Sequence, residues 1–161
     1  MSYVFTAFQS PVGELKLVAS DQGLMAILWA NDNPNRVPLG SMKRDDANPV
    51  LIQTRLQLEQ YFAGKRQRFV LPLNFVGTDF QKLVWQSLLT IPFGETRSYG
   101  QIALQIGKPK AARAVGTANG RNPISIVIPC HRVIGSNGEL TGFAGGLKAK
   151  AYLIEIENPE T

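Results

Sequence analysis

The 161 residues hold one cysteine and one histidine. One thiol cannot close an internal disulfide, which suits a reducing compartment and predicts a cytoplasmic protein. One cysteine and one histidine cannot make the cluster that a structural zinc ion needs, so no metal is expected. No apolar run is long enough to span a bilayer. The opening Met1-Ser2-Tyr3-Val4 has no basic segment followed by an apolar stretch, so no signal peptide is expected. There is no phosphate-loop or dinucleotide fingerprint, and no nucleotide cofactor is expected.

The two rare residues are adjacent, in Ile128-Pro129-Cys130-His131-Arg132-Val133. A thiolate, not a thiol, is the nucleophile, and a nearby base or positive charge raises its population. His131 can supply either, and Arg132 adds a fixed charge. The apolar run Ile124–Ile128 reads as a strand, which Pro129 would end for want of an N–H. That places Cys130 at a rigid strand exit. Neighbours in extended chain point to opposite sides. Cooperation between Cys130 and His131 therefore needs a relay through water, or a turn at Cys130. The plainer alternative stays open: a lone cysteine is commonly a small buried hydrophobe.

The net charge of +5 permits an anionic partner. Its distribution is uneven. Charges nearly cancel over residues 1–80. Residues 81–150 carry Lys82, Arg97, Lys108, Lys110, Arg113, Arg121, Arg132, Lys148 and Lys150 against Glu95 and Glu139. That is the footprint of a nucleic-acid binder, or a solvated basic face.

Residues 3–29 read as a β-meander. Tyr3–Phe8 is β-prone, Leu15, Leu17 and Ala19 alternate, and turns fall at Ser10–Gly13 and Asp21–Gly23. Residues 31–48 read as a long loop. Asn48-Pro49 starts a helix that Gly64 ends, and Arg68–Leu73 is expected as a short strand. Residues 1–73 form an α/β scaffold, with 74–79 as linker and 80–161 as the second domain.

Thr78-Asp79-Phe80-Gln81 has capping-box spacing, and Phe80, Leu83, Val84 and Leu88 recur at helical intervals behind it. Ser98–Gln101 is a second capping box. Gly107-Lys108-Pro109 separates that helix from one expected over Lys110–Asn119, as in a helix-turn-helix. The second helix is nearly all small residues around Arg113. It fits a helix pressed against DNA for shape and backbone contact, or a tightly packed core helix. The stretch Thr141–Gly146 could wall a flat pocket or merely connect. In the last helix, Leu147 and Ile154 share a face flanked by Leu153, and Glu157 falls between the last two. Glu157 either pairs with His131 or is solvated at a frayed end.

These residues resemble the O6-alkylguanine-DNA alkyltransferase family. The resemblance is carried by Tyr99, Lys110–Gly116, Asn122-Pro123, Ile128–Val133 and Gly145-Gly146-Leu147. It implies an α+β fold. A small ribonuclease-H-like α/β domain would precede a mostly helical, winged-helix-like domain with a helix-turn-helix. Cys130 would accept the alkyl group. His131 would act through water as the base, Glu157 would polarise it, and Asn122 would brace the turn before the site. Tyr99, Val133, Phe143, Ala144 and Gly145 would contact the flipped guanine. The Cys130 carbonyl would join that of Val133 on its amino group. Arg113 would fill the gap in the duplex, entered from the minor groove. Lys110, Ala112, Thr117 and Arg132 would also face DNA. The partner is double-stranded DNA containing O6-alkylguanine and, less firmly, O4-alkylthymine. The protein is expected to act once, as a monomer without cofactor. Ala144 stands where a serine occurs in mammalian members, and Cys130 sets the chain apart from alkyltransferase-like proteins that carry tryptophan there. A non-catalytic lesion marker and a cysteine hydrolase are the competing readings.

Overall fold

The computed structural model describes residues 3–159, and its contacts divide the chain into two units, Met1–Val76 and Gly77–Thr161. The fold is α+β. The first unit is built on a sheet with one helix, and the second is mainly helical.

In the first unit, β1 (Tyr3–Ser10), β2 (Gly13–Ser20) and β3 (Gly23–Trp29) form the expected antiparallel meander. The loop expected over 31–48 contains a short strand, β4 (Met42–Arg44), which pairs in parallel with β1. Its three residues carry no pattern of their own; the edge of β1 makes them a strand. The helix α1 (Pro49–Phe62) packs on the sheet and closes a core of Leu15, Leu17, Leu24, Ile27, Leu51 and Leu58. Asn48 caps it, accepting from Val50 N at 3.0 Å and Leu51 N at 3.2 Å, with proline in the first turn.

Arg68–Leu73 is not a strand. It meets the sheet at one bridge, Leu24 to Leu73. Leu24 N donates to Pro72 O, and Asn74 N to Leu24 O, both at 2.8 Å. Gly23 is obligatory there, since a Cβ would lie 2.6 Å from Pro72 O. Upstream, the Gln57 amide takes both backbone groups of Val70, so a side chain does the work of a neighbouring strand.

In the second unit, α2 (Asp79–Leu88) and α3 (Tyr99–Gln105) each start with a complete capping box, Thr78 with Gln81 and Ser98 with Gln101. The buried face of α2 is Val84, Trp85, Ser87 and Leu88, while Leu83 is exposed. Trp85 takes the central place, with Nε1 donating to Ala118 O at 2.9 Å. Residues 74–79 are not a free linker. Asn74 bonds to Leu24 in the first unit, whereas Gly77 lies against the Trp85 ring and Thr78 caps α2 in the second. The helix α4 (Ala112–Gly120) starts later than Lys110 because 108–111 form a turn, closed by Ala111 N donating to Lys108 O at 2.9 Å. α3 and α4 pack together and on α2. β5 (Arg97–Ser98) and β6 (Val133–Ile134) form a small parallel pair, and α5 (Leu147–Glu157) completes the unit.

Candidate active site

The run Ile124–Ile128 is buried but is not a strand. It folds into consecutive tight turns. Ile128 N donates to Ile124 O at 2.9 Å, Val127 N to Ser125 O at 2.9 Å, and Cys130 N to Ile128 O at 2.7 Å. The last is an inverse γ-turn centred on Pro129 at φ −80°, ψ 64°. The turn before it centres on Ile126 at φ 75°, the one non-glycine residue with positive φ among those described. A β-branched residue there is strained, at a cost of order 1–3 kcal/mol, and persists only where its surroundings over-determine it. Here full burial of Ile126 and the Asn122 side chain do so. Asn122 Oδ1 accepts from Ile124 N at 3.0 Å, and Nδ2 donates to Ile128 O at 2.7 Å.

Cys130 is therefore not at a strand exit. It opens a 3-10 turn, Cys130–Arg132, and all three residues are buried. The turn meets the condition that extended chain could not. Its carbonyl accepts from the Val133 N–H and, more loosely, from Asn119 Nδ2 at 3.4 Å. Val133 is buried in β6 opposite Arg97. With the Cys130 carbonyl occupied inside the fold, Val133 is left as the carbonyl for a ligand's amino group.

Glu157 is neither solvated nor frayed. Its side chain is 2% exposed, with Oε2 at 2.7 Å from His131 Nε2. Arg132 grips the same carboxylate, Nε to Oε1 at 2.7 Å and Nη2 to Oε2 at 3.1 Å, and its Nη1 donates to Ile91 O at 2.7 Å. This corrects the expectation for Arg132. It is an internal brace, buried and fully engaged, not a surface contact for phosphate. A cavity of about 60 Å³ adjoins this pair, lined by Gly94, Glu95, Thr96, Arg132, Ile154, Glu157 and Asn158. It has room for water, not for a purine.

Burial pulls Glu157 upward, but the bonds from His131 and Arg132 and their charges outweigh it and hold the carboxyl at about 2. Burial also lowers His131; the bond to Glu157 opposes this, and Arg132 and Lys150 reinforce it. The pair is thus an ionised Glu157 and a neutral imidazole. An ionised carboxylate accepts, so the proton sits on Nε2. That leaves the lone pair on Nδ1, which is buried without a hydrogen-bond partner among the described residues.

On α5, burial runs along Ala149, Lys150, Leu153 and Glu157, and Leu147 is 50% exposed. The Leu147–Ile154 face is thus corrected. The missed residue is Lys150, seven positions before Glu157 and so on its face. Its Nζ donates to Thr141 O at 3.3 Å. The Thr141 hydroxyl meets the Tyr99 hydroxyl, so Tyr99 and Lys150 hold the 141–146 segment from both sides. Phe143, Ala144 and Gly145, within that segment, are half-buried. The Tyr99 ring also lies against Gly116. Arg113 and Thr117 project to solvent from α4, Lys110 is exposed just before it, and Ala112 is half-buried.

Among the described residues, no group of three or more His, Cys, Asp or Glu could hold a metal ion, and no helix is long and apolar enough to cross a membrane.

Two family models match in tandem. Residues 3–75 match the ribonuclease-like domain of 6-O-methylguanine DNA methyltransferase, and residues 79–159 its DNA binding domain. The methylated-DNA–protein-cysteine methyltransferase of Methanosarcina acetivorans is 46% identical over 154 residues, covering 95% of this chain and 97% of that protein. The protein of the same name from Mycobacterium leprae is 46% identical over 94% of this chain and 90% of its own. The crystal structure of Mycobacterium tuberculosis OGT in complex with DNA superposes with a TM-score of 0.87 at 45% identity, covering 98% of this chain and 92% of that one.

Proposed function

The chain belongs to the methylated-DNA–protein-cysteine methyltransferase family, and on that premise we propose how its residues divide the work. The protein binds DNA and repairs O6-methylguanine by direct reversal. In this reading Cys130 is the acceptor. Its thiolate attacks the alkyl carbon, the C–O6 bond breaks, and the bonding pair leaves on guanine, which takes up a proton. The product is an inert thioether, so each molecule acts once and transfer is irreversible.

The observation that carries this reading is the His131–Glu157 pair at 2.7 Å, which leaves Nδ1 as the imidazole's basic nitrogen in the residue next to Cys130. His131 removes the thiol proton through one water, and Glu157 balances the imidazolium that forms. Asn122 braces the turn, and Arg132 fixes Glu157.

The target base lies inside a duplex and must be flipped out. Arg113, Thr117, Lys110 and Ala112 lie at or near the α4 surface, and small residues there let the backbone approach the minor groove. Arg113 fills the space the guanine leaves. Tyr99 contacts the guanine and the local phosphate, the Val133 carbonyl accepts from its amino group, and Phe143, Ala144 and Gly145 cover it, with a backbone N–H towards O6. The substrate is double-stranded DNA bearing O6-alkylguanine, and O4-alkylthymine to a lesser degree. The protein acts as a monomer in the cytoplasm, where its thiol stays reduced.

Intact mass after incubation with an O6-methylguanine duplex tests this. One methyl should be gained, on Cys130, and the Cys130→Ala variant should gain none. Binding without a mass change would instead make the protein a lesion marker.

A further inference from the structure

Lys150 is fully buried, at 0% exposure. Its Nζ donates to one backbone carbonyl, Thr141 O at 3.3 Å, and lies 6.0 Å from the centre of the Phe143 ring. Among the described residues no carboxylate pairs with it. A buried ammonium without a counter-charge is expensive to maintain. Burial pulls Lys150 down towards its neutral form, and the negative charge of Cys130 is what pulls it back.

The charged groups around Cys130 divide cleanly. His131 and Arg132 lie on its own turn and are both spent on Glu157. α5 packs on that turn and brings Glu157 and Lys150. α2 also packs there, with Val84, Trp85, Ser87 and Leu88 buried, none of them charged. Lys150 is thus the one cation facing the sulfur that has no carboxylate of its own.

We propose that Lys150 is the counter-ion of the Cys130 thiolate. It rests on the reading of Cys130 as alkyl acceptor. Lys150 is a positioning residue in this scheme, acting on the sulfur through space while its bond to Thr141 keeps the 141–146 segment closed. His131 takes the proton from the thiol, and Lys150 stabilises the anion that remains. Sulfur then forms the S–C bond, C–O6 breaks, and guanine takes a proton from solvent. The thioether is neutral, so alkylation removes the counter-charge of Lys150.

Full-length Lys150→Met and Lys150→Arg variants test this. The readouts are the pH dependence of iodoacetamide labelling at Cys130, single-turnover transfer from an O6-methylguanine duplex, and duplex affinity. With methionine, the thiol titration should rise by about one pH unit, and transfer near neutral pH should slow about tenfold and recover at higher pH. Arginine should keep the titration near that of the unsubstituted protein, and duplex affinity should hold in both. A lower melting temperature with an unmoved thiol titration would make Lys150 merely structural and overturn the proposal. A second measurement needs no variant. An NMR titration of the lysine ζ-nitrogens before and after S-methylation should show one lysine pKa falling; unchanged lysines overturn the proposal. Failure of the acceptor reading would look different, because the unsubstituted protein would gain no methyl mass.

Discussion

Asn122 clamps the turn leading to Cys130, its amide reaching Ile128 O at 2.7 Å while its oxygen receives Ile124 N at 3.0 Å. It ties two backbone points on either side of the strained Ile126, and the second adjoins the Pro129 γ-turn. Asn122→Ala leaves a buried N–H without a partner, for a loss of about 2–4 kcal/mol. Urea denaturation should show it. Single-turnover transfer should fall as well, since the thiol loses its fixed direction.

Glu157→Gln removes the charge that balances Arg132 and orients His131. Breaking a buried pair on one side costs about 3–5 kcal/mol. Transfer at neutral pH should drop by about a hundredfold through loss of the positioned base, with duplex affinity unchanged. Rapid-quench transfer and a binding titration separate the two effects.

Two groups set the acid limb of stability. Glu157 is held at about 2 against an ordinary 4.5, so its contribution is complete above 4.5 and is lost as pH falls towards 2. His131 is neutral when folded, because burial lowers it below 6.5, and unfolding lets it take a proton. Its contribution is complete above 6.5 and erodes as pH falls below that value. Melting temperature should decline in two stages between neutral and strongly acid pH. A His131→Asn variant should lack the first stage.

Ile124 and Ile126 are equally buried, but only Ile126 sits at positive φ. Glycine at either position loses the side chain; at 126 it also releases backbone strain. Ile126→Gly should therefore be less destabilising than Ile124→Gly by about 1–3 kcal/mol. Equal losses in guanidinium titrations would show that the turn is unstrained.

Arg113 is exposed at the start of α4. Arg113→Ala should weaken duplex binding and slow repair in DNA, while transfer from free O6-methylguanine base stays unchanged. The opposite pattern would place Arg113 in the chemistry and not in holding the duplex open.

Chain-local chemistry made much of this fold legible. Asn48-Pro49, Thr78 with Gln81 and Ser98 with Gln101 set helix starts through side chains within three residues, and all three act as read. What depended on distant partners was not legible. β4 exists because β1 offers an edge. Arg68–Leu73 looks β-prone but meets the sheet at a single bridge. Ile124–Ile128 reads as a buried strand because a short apolar run gives no periodicity, and the amide that folds it lies two residues upstream. At the site, the Glu157–His131 pair was anticipated from a carboxylate on an apolar face. Arg132 was misplaced because a cation in a basic region reads as surface until its carboxylate is found. Lys150 carried a usable signal: once Glu157 faces inward, a residue seven positions earlier must do so too.

That spacing makes α5 a rigid crossbar. Seven residues at 1.5 Å rise hold Lys150 and Glu157 about 10.5 Å apart along the axis. One end addresses the sulfur and the other the imidazole. A tilt of α5 cannot retune one without detuning the other. Bulk added to the sulfur pushes on the same bar, so its far end, at Glu157, registers whether the single transfer has taken place.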